Sequence, residues 1–191
     1  NFAHSGDIGT NLKSTTVDFF KDTNRVRTNI SAENMYVLKM PGGPTVMGVD
    51  QFHCDIDISS VLAIVSDSGL IMKEVTIDEN ESWGEIQKFG MVRPEVVGIL
   101  LDGNTHYFDA QGNRIQFPEE QDIYTKAIPF GTNYIGCIDN KLYKLDQSFE
   151  HLEVEFVSDS ILDIATIGES KILVITSKEV HICNDQLTIL Q

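Results

Sequence analysis

A short apolar run that passes at once into a polar turn recurs along this chain at a nearly constant interval. No other feature restricts the fold as much. Val61-Leu62-Ala63-Ile64-Val65 runs into Ser66-Asp67-Ser68-Gly69, and Val97-Gly98-Ile99-Leu100-Leu101 runs into Asp102-Gly103-Asn104. Tyr134-Ile135-Gly136-Cys137-Ile138 leads to Asp139-Asn140-Lys141, and Ile172-Leu173-Val174-Ile175-Thr176 leads to Ser177-Lys178-Glu179. The first turn residues are 66, 102, 139 and 177, at intervals of 36, 37 and 38 residues. A fixed period of this size marks an array in which each supersecondary unit buries its face against the next.

Each unit reads as about four strands. One precedes the central run, as in Tyr124–Gly131 or Ile161–Gly168. A second strand follows the turn in Leu70-Ile71-Met72, Thr105–Phe108, Leu142–Leu145 and Val180–Cys183. A third comes near Ile115–Phe117, Leu152–Phe156 and Leu187–Leu190. Around residue 31, Val26–Ile30, Ser31–Asn34 and Met35–Leu38 read as strand, turn and strand, which supplies a fifth unit. No window of 11 or more residues has the spacing of an amphipathic helix. The central runs are apolar at successive positions, as strands buried on both faces are. Leu152-Glu153-Val154-Glu155-Phe156 alternates, as an outer strand with one wet face does.

The expected fold is therefore all-β: a β-propeller of about five degenerate four-stranded blades, or part of a larger propeller. A β-sandwich or barrel is the competing arrangement, but it does not demand a constant period. Residues 1–15 are polar and read as a flexible lead-in, with the repeats spanning 16–191.

Gly131-Thr132-Asn133-Tyr134 leads into Ile138, Asp139-Asn140-Lys141 and Leu142-Tyr143. Ile164–Gly168 leads through Ile172–Thr176 to Val180-His181. This order of glycine, apolar run, turn and aromatic pair resembles the repeats of the regulator-of-chromosome-condensation family, over residues 56–191. The resemblance implies a propeller. That family usually places a histidine after the repeat glycine; here Tyr134 and Lys171 stand nearby. Its tryptophan-glycine and glutamine-leucine-glycine signatures are missing, so no exchange-factor activity or functional residue carries over.

Composition excludes several classes of function. The 191 residues hold 14 basic and 29 acidic side chains, a net charge of −15. Phosphate binding needs clustered Lys and Arg, so DNA or RNA is not expected as a direct ligand. No run approaches the roughly 18 apolar residues of a membrane-spanning helix. Cys54, Cys137 and Cys183 lie too far apart for a zinc motif or disulfide framework. They read as small buried residues in a reducing, intracellular compartment, cytoplasmic or nuclear, and no signal segment opens the sequence.

No catalytic residue, cofactor or metal site is expected. His53, Asp55 and Asp57 would share one face of a single strand, but a flat row with about 7 Å steps does not converge on one ion. His4-Ser5-Gly6-Asp7 holds the residue types of a hydrolase triad, but neighbours in sequence cannot adopt its geometry. Gly6-Asp7-Ile8-Gly9-Thr10 lacks the Lys-Ser/Thr ending of a phosphate loop. Asp102-Gly103-Asn104 and Asp109–Asn113 read as hairpin turns rather than calcium loops.

Three acidic patches remain: Asp78-Glu79-Asn80-Glu81, Pro118-Glu119-Glu120-Gln121-Asp122 and Glu150–Glu155. Such patches steer basic protein partners. The candidate partner-binding residues are Glu79, Glu81, Glu119, Glu120 and Asp122, with Trp83 as an anchor. The expected function is a non-enzymatic protein-interaction module or scaffold, a subunit of a larger assembly whose partners are other proteins with basic surfaces. The alternative is a carbohydrate-binding or glycoside-active propeller, with Tyr107, Tyr143 and His181 in matching strands.

Overall fold

Branched and aromatic residues in short runs, broken by Asp, Asn and Gly, produce strands and tight turns throughout. The computed structural model describes residues 2–9, 12–21, 24–31, 34–40, 43–53, 57–66, 70–77 and 85–190. The first sheet is β1 (Phe2–Gly9), β2 (Leu12–Lys21) and β3 (Asn24–Ser31). The second is β4 (Asn34–Lys39), β5 (Thr45–His53), β6 (Asp57–Val65) and β7 (Ile71–Thr76). The third is β8 (Ile86–Arg93), β9 (Val96–Leu101), β10 (Asn104–Asp109) and β11 (Arg114–Ile115). The fourth is β12 (Lys126–Phe130), β13 (Asn133–Ile138), β14 (Lys141–Leu145) and β15 (His151–Phe156). The last is β16 (Ile161–Ile167), β17 (Lys171–Thr176) and β18 (Val180–Asn184). Every sheet is an antiparallel meander in chain order.

The four sheets from β4 to β18 form four blades in a propeller arrangement. Contacts between blades run through the first strands: β4 and β5 meet β8, β8 meets β12, and β12 and β13 meet β16. A cavity of 770 Å3 lies among β4, β12 and β16, with Lys39, Lys126 and Asp163 in its wall.

Each blade turns one face to the blade before it and the other to the blade after. Ile135, Cys137 and Leu142 are buried against Ile164, Ile172 and Val174 of the last blade. Tyr143 and Leu145 face back into the core shared with Val97, Ile99 and Phe108. The last blade ends that series. Leu173 and Ile175 stand in the positions of the buried Ile135 and Cys137 in the blade before it, yet they are only half-buried, and Val180, in the position of the buried Leu142, is 58% exposed.

The period is written in the turns as well as the runs. Positive φ recurs at Glu95, Gly131 and Gly168, at Asp102 and Asp139, and at Gly112, Phe149 and Leu187. The third set closes a repeated side-chain turn. Asp109 Oδ1 accepts from the backbone N–H of Gln111 (2.9 Å) and Asn113 (2.8 Å). Asp146 Oδ1 accepts from Ser148 (2.7 Å) and Glu150 (2.9 Å), and Asn184 Oδ1 from Gln186 (3.0 Å) and Thr188 (2.8 Å). A short carboxylate or amide side chain that satisfies its own turn is the physical reason for Asp or Asn at these positions.

The sheet pairing departs from the sequence reading at the N-terminal side. β3 pairs with β2 and β4 with β5, so Val26–Leu38 is not one hairpin unit but the junction of two sheets. Val61–Val65 lies in β6, the third strand of its blade, whereas the other three runs are second strands. β5 ends at His53 and β6 begins at Asp57, and the two residues pair across neighbouring strands, so they do not lie along one strand; Asp55 lies outside the described residues. β1 and the start of β2 fall within the stretch read as a lead-in. Near Leu187–Leu190 the chain forms an isolated bridge between Cys183 and Ile189, not a fourth strand.

Candidate functional site: an acidic cleft between two blades

The joint between the second and third blades is built on Tyr124. Its backbone exchanges two hydrogen bonds with Met91, N–H to C=O at 2.8 Å in each direction, which ties β8 to the segment entering β12. Only glycine fits beside that exchange: a Cβ at Gly90 would lie 2.1 Å from the Tyr124 carbonyl oxygen. The ring packs edge-on against Tyr143 and Phe149, at centroid distances of 5.6 Å to each.

The ring ends at polar groups. Burial raises the Tyr124 hydroxyl pKa, and the charge of Asp122, then Tyr143 and Glu150, raise it further. The group therefore stays a phenol, and its oxygen is hydrogen-bonded to Nε2 of His151 at 2.6 Å. His151 lies over the Tyr143 ring at 4.6 Å, and its Nε2 is 3.4 Å from Asp122 Oδ2. Burial also raises Tyr143, followed by Asp122 and Asp139.

Above these groups is a cleft of 390 Å3 lined by Arg93, Glu120, Asp122, Ser148, Glu150 and His151, among others. The Asp146 turn fixes Ser148 and Glu150 on one wall. The loop 118–122 forms the other. Thr105 donates to Glu120 Oε1 (3.2 Å), the Gln121 N–H donates to the Tyr107 hydroxyl (2.9 Å), and Arg93 donates to Gln121 Oε1 (3.3 Å). Arg93 is held over Phe117 at 4.7 Å, so its charge is already engaged. Glu120, Asp122 and Glu150 leave the cleft acidic.

The joints on either side are filled differently. Between the first and second blades, Lys73 donates to the carbonyls of Gln111 (3.1 Å) and Gly112 (3.3 Å), inside the Asp109 turn. Between the third and last, Lys144 donates to the carbonyl of Asp185 (2.7 Å), inside the Asn184 turn. At the middle joint the cleft stands beside the Asp146 turn. An ammonium on such a turn is thus a contact this fold makes twice with its own lysines.

No family profile matches the sequence, and no curated protein matches it significantly. Solved structures do. A protein of unknown function from Bacteroides caccae superposes with a TM-score of 0.58 at 7% identity, over 94% of this chain and 75% of its own. The AfRom2 CNH domain gives 0.56 at 8% identity, over 98% of this chain and 69% of its own. The Neurospora crassa Pan2 WD40 domain gives 0.50 at 12%, over 98% and 64%. The fold is a β-propeller. WD40 repeats build propellers from four-stranded blades, and identities this low establish the fold alone.

The propeller brings Glu120 and Asp122 together in the cleft, whereas Glu119 lies on the exposed loop beside it and does not line it. Glu79, Glu81 and Trp83 lie outside the described residues. Tyr124, His151 and Arg93 were not singled out from the sequence. Glu150 and His151 belong to a patch whose charge was legible, but Tyr124 reads as an ordinary strand residue. Among the described residues no group of His, Cys, Asp and Glu has the geometry of a metal site, and no helix is long and apolar enough to cross a membrane.

The residues matched for a sugar-binding reading do not form one surface. Tyr107 pairs with Gly98 and Tyr143 with Gly136. By the repeat, Gly98 corresponds to Ile135, so the two tyrosines point to opposite faces of their blades. Both rings are buried, at 8% exposure each.

Proposed function

We propose that this propeller is a non-enzymatic protein-interaction module that seats a Lys or Arg side chain of a partner in the cleft between its second and third blades. The observation that carries this is the pair of flanking joints, where the chain's own Lys73 and Lys144 already sit on the equivalent turns. Glu120, Asp122 and Glu150 supply the negative charge, and the aromatic floor of Tyr124, Tyr143 and Phe149 supplies rigidity. The net charge of −15 would steer a basic partner toward it.

On this reading the module is a subunit of a larger intracellular assembly, with β1–β3 as a fifth blade. The half-covered apolar face of β16–β18 supports a place in a larger structure. Glu79, Glu81, Trp83 and Glu119 extend the contact surface around the cleft.

The test is fluorescence anisotropy with a labelled, flexible Gly/Lys peptide at low and moderate salt. Neutralising Glu120, Asp122 and Glu150 together should weaken binding at least tenfold. Neutralising Glu74, Glu95 and Glu169, which removes the same charge elsewhere, should change it less than threefold. Equal losses in the two variants would mean that general charge, not the cleft, holds the peptide, and the proposal would fall.

A further inference from the structure

We infer that the outer edge of β15 is a strand-pairing site for an extended partner segment in which apolar residues alternate with Lys or Arg. The inference rests on the reading above, that the propeller binds a basic protein, and names the form that protein takes.

A bare sheet edge presents unpaired N–H and C=O groups, which folded proteins normally shorten, cover or charge. Two of the four blades here do so. β11 has only two residues. β18 is covered by the following chain, through the Cys183–Ile189 bridge and the Leu190 N–H donating to Ile182 at 2.7 Å. β7 is an uncovered edge of six residues as well, but at the position where β15 has Glu153 it carries Lys73, which holds the Asp109 turn and would repel a basic strand. β15 has six residues, and β14 is the only strand paired with it among the described residues. After a bulge at its start, the ladder is regular from Glu153 to Phe156.

The side chains on this edge are also uncovered. Leu152, Val154 and Phe156 are 51%, 47% and 57% exposed. Val154 pairs with Tyr143 and Phe156 with Lys141, so both stand on the blade's backward face. Glu153 and Glu155 stand on the other face. The Glu153 carboxylate is 3.9 Å from the Lys144 ammonium, beyond hydrogen-bond reach, and is 42% exposed, so it is open to a further cation. An added strand would therefore meet an apolar row on one face and an acidic row on the other. Directly opposite residues in adjacent strands attract when apolar or oppositely charged.

This pattern argues against a second copy of the chain as the occupant. Two-fold antiparallel pairing of β15 with itself sets Glu153 opposite Glu155, or Glu155 opposite Glu155. A shift of one residue sets glutamates against Val154 and Phe156. Every register is penalised, whereas a basic–apolar strand satisfies both rows. The edge also begins at Glu150 and His151 in the wall of the cleft, so a strand laid along β15 runs directly into the proposed Lys or Arg seat.

The experiment uses the full chain and three labelled peptides: an eight-residue Lys-Val alternation, the same peptide N-methylated at every lysine, and the same N-methylated at every valine. In strand addition only alternate residues turn their N–H toward the neighbour. One methylated peptide should therefore lose at least tenfold in affinity and the other should bind within threefold of the parent. Glu153→Lys combined with Phe156→Ser, two exposed changes whose folding circular dichroism checks, should lower parent binding at least tenfold. Equal behaviour of the two methylated peptides would overturn strand addition. If binding were blind to methylation but lost on neutralising Glu120, Asp122 and Glu150, the strand proposal would fall and the basic-partner reading would stand. If no basic peptide bound, both would fall. A dimer in sedimentation velocity that the double variant dissolves would overturn the choice of occupant.

Discussion

Replacing Gly90 by alanine should break the joint on which the cleft depends. The new Cβ would lie 2.1 Å from the Tyr124 carbonyl oxygen and 2.6 Å from its carbonyl carbon. Both are backbone atoms, so no side chain can rotate away. Relief requires β8 and the Tyr124 segment to separate by roughly an ångström, since ordinary carbon–oxygen contact begins at about 3.4 Å. That separation removes both hydrogen bonds of the Met91–Tyr124 exchange. Each is worth about 1 kcal/mol net, and forcing a methyl group into a packed interior costs about 1–3 kcal/mol more. The expected loss is about 4 kcal/mol, or a fall in Tm of about 8–16 °C for a chain of this size. Gly103→Ala is the control. Gly103 has φ +80° with nothing within 4 Å, so alanine there meets backbone strain alone, about 1–2 kcal/mol. Urea melts of both variants, followed by circular dichroism, measure the difference. If Gly90→Ala were no more destabilising than Gly103→Ala, the backbone contact at the joint would not be as described. A folded Gly90→Ala protein should also bind the Gly/Lys peptide more weakly, because displacing Tyr124 moves His151.

Three further outcomes follow from the same structure. Glu95 is exposed with φ 64°, so Glu95→Gly should relieve left-handed strain and raise Tm by about 1–3 °C, with glycine's chain entropy offsetting part of the gain; an unchanged or lower Tm would count against the strain. Partial burial alone would raise the Asp109 pKa, but hydrogen bonds from Asn113 and Gln111 and the nearby Lys73 together hold it below the usual carboxylate value. A depressed folded-state pKa gives stability that is present above the unfolded value near 4 and lost as pH falls through the folded one. Tm in wild type should therefore drop more steeply below about pH 4 than in Asp109→Asn, and parallel acid limbs would refute the assignment. Burial raises both Cys137 and Cys183, with Glu155 adding to the second. In a Cys54→Ser variant these two thiols should react with a disulfide reagent at least a hundredfold more slowly in buffer than in denaturant, and prompt labelling of the native protein would contradict their burial.

The parts of the fold that were legible in the sequence are those where one residue type has one physical use. The runs at β9, β13 and β17 are apolar at successive positions because each of these strands has a blade on one or both sides. Asp109, Asp146 and Asn184 mark turns because their side chains bond the turn's own backbone. The pattern is ambiguous in the first blade, where β5 and β6 have nine residues each. There the third strand is buried as fully as a second strand elsewhere, with Leu62, Ala63, Ile64 and Val65 at 0–2% exposure. Composition cannot separate two strands with the same burial, so the period appeared to continue through Val61–Val65 while the strand order had shifted by one.

The cleft divides along the same line. The charge of Glu120, Asp122 and Glu150 is local and was visible as runs of acidic residues. What makes a site of them is not local. Tyr124 reaches His151, 27 residues on, only because Gly90 and Gly136 leave room on either side of it. Glycine 34 residues before Tyr124 and 12 after it carries no sign in sequence that the first makes room for its carbonyl and the second for its ring. The difference among the three joints is similarly remote. Lys73 and Lys144 each act across about 40 residues, on the turn of the following blade. Tyr107 follows the repeat position of Lys144 in the second blade, and its hydroxyl accepts from Gln121 instead of reaching the Asp146 turn. The second blade thus has neither lysine, with Tyr107 at the repeat position of Lys144 and Ile115 at that of Lys73, and that difference within the repeat, more than the total of acidic residues, is what makes this joint the one to probe with a basic ligand.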